Sequence, residues 1–263
     1  MRFGVCEGIH NLSIVADAGY DYVEFSVSGH LMPEKPEREV LPALAKALNA
    51  AAIRAEAFNC FLPGDLRVTG DGVDPARQAA YVRSALKRAA ALGGKTVVFG
   101  SGAARNVPDG FDRSVAHRQI REFLARTADV AAANDIVIAI EPLHSGVCNI
   151  ITGVAEAVEI AGQINHPAVQ VLSDLFHVTH DSQSFEETAS AGGQLRHVHI
   201  STPTTGKNPA AAELPVLTDY FRAIRKAGSV PRISLECGWT DLAAEAAPTL
   251  TVVRTAWEAS KSQ

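Results

Sequence analysis

Ile136-Val137-Ile138-Ala139-Ile140-Glu141-Pro142-Leu143-His144 is the stretch whose reading decides the fold. Its five consecutive apolar residues suit a strand buried on both faces, as in a parallel sheet covered by helices. The run stops at a carboxylate followed by proline. Pro142 has no N–H to extend a ladder and fixes φ, so the strand ends there. Glu141 is therefore expected at a strand's carboxyl end, where parallel α/β sheets and barrels carry their chemistry. A structural glutamate fits the same place, although charged side chains are seldom buried without partners.

Outward from this segment, strand-like and helix-like stretches alternate along the chain. Strands are expected over residues 2–6, 22–25, 53–58, 96–99, 136–140, 169–172, 196–200 and 232–235. Helices are expected over 12–18, 39–51, 75–92, 154–164, 185–191, 217–227 and 242–259, with one more ending at Ala133. Asp74-Pro75 pairs an N-cap with a proline at the first helical position, while Asp112 or Ser114, and Thr152, are the caps of two later helices. Gly19, Gly93-Gly94 and Gly228 mark helix ends. The stretch 59–73, with Pro63-Gly64 and Gly70-Asp71-Gly72, is long enough to form a lid or rim. Eight β-α units without a linker or a composition break predict one domain over 1–263, a closed (β/α)8 TIM barrel. A doubly wound sheet more often carries a glycine fingerprint after its first strand, and Cys6-Glu7-Gly8-Ile9 is not one.

The chain has 263 residues, 47% of them hydrophobic, a net charge of -5 and a pI near 6.0. That balance offers no basic face for nucleic acid or an anionic membrane, and leaves small neutral or acidic substrates open. No apolar run approaches the ~20 residues that span a bilayer. Met1-Arg2 leads straight into a strand with no signal-peptide pattern, so a cytoplasmic protein is expected. Cys6, Cys60, Cys148 and Cys237 are widely spaced and read as reduced thiols.

Four strands end in hard or borderline metal ligands: Glu141 on the fifth, Asp174 on the sixth, His199 on the seventh and Glu236 on the eighth. In a closed barrel these ends are neighbours on one half of the rim, so their side chains can converge. Three carboxylates and an imidazole suit Mn2+ foremost, with Mg2+, Co2+ and Zn2+ as alternatives. Four unrelated rim residues are the bland alternative.

Ile140-Glu141-Pro142-Leu143, Ser173-Asp174-Leu175-Phe176-His177, His197-Val198-His199-Ile200 and Ser234-Leu235-Glu236 together resemble the signatures of the xylose isomerase-like barrels. The nearest pattern is the sugar phosphate isomerase/epimerase branch, with its ketose 3-epimerases, hydroxypyruvate isomerases and inosose isomerases and dehydratases. The resemblance spans essentially the whole chain. It implies that Glu141, Asp174, His199 and Glu236 hold one divalent metal, and that His177 touches substrate or a metal-bound water. It also implies that Glu141 and Glu236 form the acid/base pair acting through an ene-diolate, and that the protein pairs into homodimers or homotetramers. The sequence departs from the ketose 3-epimerases where they follow Glu-Pro-Leu with asparagine-arginine and then a second glutamate. Here His144 follows directly and Val147 falls about where that glutamate would be. Those enzymes also carry an arginine soon after the metal histidine, where this chain offers only Lys207.

His144 titrates near neutrality and could act as general base, or it could be a plain rim histidine. His197 shares a face with His199 and reads as a deeper interior residue. Arg105, after Gly100-Ser101-Gly102, is a candidate contact to a substrate's hydroxyls or carboxylate. Glu7, Glu24 and Glu56 lie at or near the ends of the first three strands and read as rim salt bridges, with Glu7 also a candidate substrate contact. The leading expectation is a metal-dependent sugar isomerase or epimerase. A metal-dependent lyase or dehydratase acting on a 3-keto sugar or glycoside through His144 is the second. A repair endonuclease of the same superfamily and a non-catalytic sugar-binding barrel are remote alternatives. Gly206-Lys207 is the sole hint of an anion site for a phosphorylated sugar.

Overall fold

In a computed structural model, described over residues 1–228 and 230–261, eight parallel strands close on themselves in sequence order. They are β1 (Arg2–Cys6), β2 (Tyr22–Ser26), β3 (Ala55–Asn59), β4 (Thr96–Phe99), β5 (Val137–Ile140), β6 (Val169–Asp174), β7 (Leu195–Ile200) and β8 (Arg232–Leu235). The expected (β/α)8 barrel is thus the observed one. Helices follow the strands and bury their apolar stripes against the barrel's outer face. Asp74 and Asp112 cap the helices Pro75–Ala91 and Arg113–Ala133, each accepting from two backbone N–H groups. Among the described residues, no helix is long and apolar enough to cross a membrane.

Some local expectations fail. Thr152 is not a cap; the helix Val154–Ile164 starts after Gly153, and Thr152 instead donates its N–H to Glu156. The helix before β8 begins at Leu214, earlier than its apolar period suggested, with Pro215 in the first turn. β6 runs on to Asp174, which then caps a helix, Leu175–His180, too short to show a period.

The barrel interior is unusual. Branched aliphatic side chains commonly fill such barrels, but here Val98, Ala139 and Leu172 form only a small apolar plug apart from the main core. Buried Tyr22, Glu24, His197 and Ser234 occupy the rest of the interior near β1, β2, β7 and β8. Tyr22 fits because β1 carries Gly4 beside it: a Cβ there would lie 2.2 Å from the ring. The N-terminal mouth is closed by Glu56, which a register shift between β2 and β3 leaves as an extra residue. Its carboxylate pairs with Arg2 at 2.5 Å and Arg232 at 2.7 Å, the first residues of β1 and β8. Glu56 is therefore in a salt bridge, as expected, but at the mouth opposite to the one expected.

Candidate metal centre

Glu141, Asp174, His199 and Glu236 meet at the C-terminal mouth, with one potential ligand atom from each within 4.8 Å of the others. The register of β5 to β8 does this: each side chain stands on the inward face at or just past its strand's end. His199 Nδ1 lies 2.8 Å from Glu236 Oε2, 3.0 Å from Glu141 Oε1 and 3.8 Å from Asp174 Oδ2. Asp174 divides its two oxygens. Oδ1 caps the next helix through the N–H groups of Phe176 and His177, leaving Oδ2 for the centre. Gly100, at the end of β4, gives Glu141 its room, since a Cβ there would sit 2.1 Å from Glu141 Oε2.

Two residues that sequence reasoning undervalued support this set. Glu24 is no rim residue. It is fully inside the barrel, with Oε1 3.0 Å from His199 Nε2 and Oε2 2.9 Å from His197 Nε2. Asn59 donates to Glu236 Oε1 at 2.7 Å. The sequence puts it at the start of the lid segment, but it is the last residue of β3, and its only sequence signal is that position at a strand's carboxyl end, shared with the others.

The electrostatics are dominated by buried carboxylates that outnumber the basic groups facing them. Burial pushes Asp174 up to about 6, reinforced by Glu236 and opposed by His199. Burial also raises Glu141, with the Glu236 and Asp174 carboxylates adding to it against His199. Burial works to raise Glu236 and Glu24 too, but His199 holds Glu236 below the usual carboxylate range, and His199 and His197 do the same for Glu24. His199 itself is driven well above an ordinary histidine, because Glu24, Glu236 and Glu141 outweigh its burial. Among the described residues, no lysine or arginine pairs with any of the four carboxylates. Buried carboxylates in excess of their cations are what a hard or borderline divalent ion balances, and the donor set fits one.

The family model for the xylose isomerase-like TIM barrel matches residues 12–254, a span holding all four residues. The chain belongs to that family. No curated protein matches its sequence. Solved structures of similar fold include D-psicose 3-epimerase from Clostridium cellulolyticum H10 with D-tagatose, at TM-score 0.84 and 19% identity over 98% of this chain and 99% of that one. The 3-keto-D-glucoside 4-epimerase of E. coli aligns at TM-score 0.79 and 16% identity, covering 97% and 99%. The IOLI protein with a bound zinc atom aligns at TM-score 0.70 and 17% identity, covering 99% and 98%. At these identities the likeness is one of fold.

The remaining predicted residues of this xylose isomerase-like barrel divide into those beside the centre and those away from it. His177 stands next to the centre, its Nδ1 accepting from the His144 N–H at 3.2 Å. Burial lowers its pKa against the pull of Glu141 and Glu236. His144 is buried rather than a free rim residue. Its ring stacks on His180 with centroids 3.7 Å apart, and Asp181 clasps the next residue through Ser145 N–H and Oγ. Burial, then His180 and His177, lower the His144 pKa, so its imidazole is neutral near pH 7. Arg105 does not meet the expectation of a substrate contact. It is wholly buried, donating to the carbonyls of Phe99, Glu141 and Ile151, where it ties the ends of β4 and β5 together. Lys207 sits on the loop after β7, whose backbone pairs with Gly238 after β8. Glu7 accepts from Gly8 N–H and Asn11, and so shapes the first β-α loop.

Proposed function

We propose that the chain is a divalent-metal-dependent isomerase or epimerase of a keto sugar or related polyol ketone. One observation carries this reading: Glu141 and Glu236 reach the same point from the two flanks of the set, with Asp174 and His199 between them. A bound divalent ion, Mn2+ foremost, would polarise a ketone and its neighbouring hydroxyl and so acidify the C–H between them. One glutamate takes that proton to leave an ene-diolate, and the other returns a proton to the opposite face, or to the adjacent carbon. Asn59 holds Glu236 in place for this, and Gly100 leaves Glu141 room to move. His177, beside the centre, is placed to touch the substrate's hydroxyls. Arg105 offers no free guanidinium to a phosphorylated sugar, because backbone carbonyls consume it. The epimerases among its fold neighbours and the zinc-bound member support the reading.

The test is proton exchange at the substrate's α-carbon in deuterated water with Mn2+, across a panel of keto sugars and 3-keto glycosides. Glu141→Gln and Glu236→Gln should each slow exchange by about 100- to 10,000-fold, the usual worth of a positioned acid or base. Exchange retained in both variants overturns the reading.

A second reading is favoured by one observation, the buried neutral His144 three residues beyond Glu141. In it, His144 is the acid/base of a lyase or dehydratase acting on a 3-keto sugar or glycoside. It predicts bond cleavage in the same panel, lost in His144→Ala; turnover untouched by that substitution removes it.

A further inference from the structure

Resting on the metal reading above, we propose that Glu24 is the positioning residue that decides which nitrogen of His199 faces the metal. Glu24 stands on β2 inside the barrel, 1% exposed, one layer below the four converging residues. Its two oxygens meet the Nε2 atoms of two different imidazoles, His199 at 3.0 Å and His197 at 2.9 Å. An ionised carboxylate can only accept, so each of these Nε2 atoms carries a proton. A neutral imidazole carries a single N–H. Glu24 thus turns the His199 ring so that Nδ1 faces Glu141, Glu236 and Asp174, and a metal that takes the place of the Nδ1 proton would leave the one remaining proton on Nε2, held by Glu24.

His197 explains why a carboxylate is needed at position 24 when an amide has the same shape. His197 is completely buried, and its Nδ1 has no hydrogen-bond partner. A proton moved onto that nitrogen would become an unsatisfied buried donor, so His197 keeps its proton on Nε2 and claims one acceptor. Ser234 Oγ, 3.3 Å from the same Nε2 and bonded to the Tyr22 hydroxyl at 2.7 Å, encloses that end of the ring. Glutamine would offer one acceptor and one N–H2 donor. His197 would take the acceptor, and His199, left facing the donor, would give up its Nε2 proton and keep the one on Nδ1. That proton would lie where the metal binds. Glu24→Gln thus keeps the shape of the interior and disables the site through a tautomer.

The experiment uses the full chain and Zn2+, a diamagnetic probe. Calorimetry measures Zn2+ affinity, and nitrogen-15 imidazole spectra assign the tautomers. Zn2+-loaded wild type should show His199 with its proton on Nε2 and Nδ1 bound to the ion. In Glu24→Gln, Zn2+ affinity should fall about 10- to 100-fold, the typical cost of losing such a support. The His199 proton should appear on Nδ1 while that of His197 stays on Nε2. Removal of packing alone would not produce this exchange of tautomer. Wild-type affinity in a folded Glu24→Gln overturns the proposal, and so does a wild-type spectrum with Zn2+ on His199 Nε2, a result that needs no variant to fold. A wild type that binds neither Zn2+ nor Mn2+ overturns the metal reading, and the role of Glu24 falls with it. A wild type that binds Zn2+ while Glu24→Gln binds equally well removes the role of Glu24 alone.

Discussion

The two mouths of this barrel both bury carboxylates, and they treat them in opposite ways. At the N-terminal mouth, Glu56 meets two guanidinium groups, Arg2 and Arg232. At the C-terminal mouth, Glu141, Asp174 and Glu236, with Glu24 beneath, share the imidazoles of His199 and His197. Burying a charge costs several kcal/mol unless it is paired. The first mouth provides the pairing from its own sequence and is a closed piece of structure. The second sets only two imidazoles against its four carboxylates. Charge balance, more than burial or polarity, separates a structural plug from a candidate site.

The largest expected separation between the mouths is in metal affinity. Asp174→Asn keeps an effective helix cap but removes the anion directed at His199. Titration calorimetry with Mn2+ should show a loss of about 100-fold or more, at least the upper end for a supporting partner. Glu56→Gln should leave that affinity within twofold. Equal losses would erase the distinction.

The next effect is on stability against pH. Asp174 is held at about 6 in the fold, above its ordinary value near 3.8, chiefly by burial. A folded pKa above the unfolded one means that stability present at low pH is lost as pH rises between those values, about 4 to 6. His199, raised by its carboxylate neighbours, acts in the same direction at higher pH. Urea denaturation of metal-free protein should lose about 2–3 kcal/mol across that window, at ~1.4 kcal/mol per pKa unit. Saturating Mn2+ should abolish the loss; a slope that persists with metal would place its origin elsewhere.

At the other mouth, Glu56→Ala should cost about 2 kcal/mol of stability, less than a fully buried pair because Arg2 is partly exposed. Its Mn2+ affinity should not change. The smallest effect is expected for Gly100→Ala. The added Cβ would collide with Glu141 Oε2 and turn that carboxylate away, at about 1 kcal/mol of strain and roughly a tenfold loss of affinity. Unchanged affinity would show that Glu141 has other room.

Glu141, Asp174, His199 and Glu236 were legible because each ends or closely follows an apolar strand, and a closed barrel makes consecutive strand ends neighbours. Glu24 looked the same in sequence and was assigned to the rim. Its partners lie 173 and 175 residues along the chain, and no local pattern tells whether a strand's inward face meets a dry or a polar interior. Asn59, bonded 177 residues away, was hidden for the same reason. Arg105 failed in the other direction. A guanidinium after a glycine-rich turn looks free for a ligand, yet three backbone carbonyls, one from the end of β4 and two from the loop after β5, had already claimed it.

The sequence by itself determined the alternation of strands and helices, the closed barrel and the four groups at its C-terminal mouth. Those features rest on short-range causes: apolar period, caps and the end of each strand. Only the tertiary structure decided what stands beneath the four, which carboxylates have their own cations, and which histidine nitrogen faces outward. These depend on hydrogen bonds between strands far apart in the chain, and the facing of an imidazole nitrogen or the surplus of buried anions exists only once the barrel has closed around them.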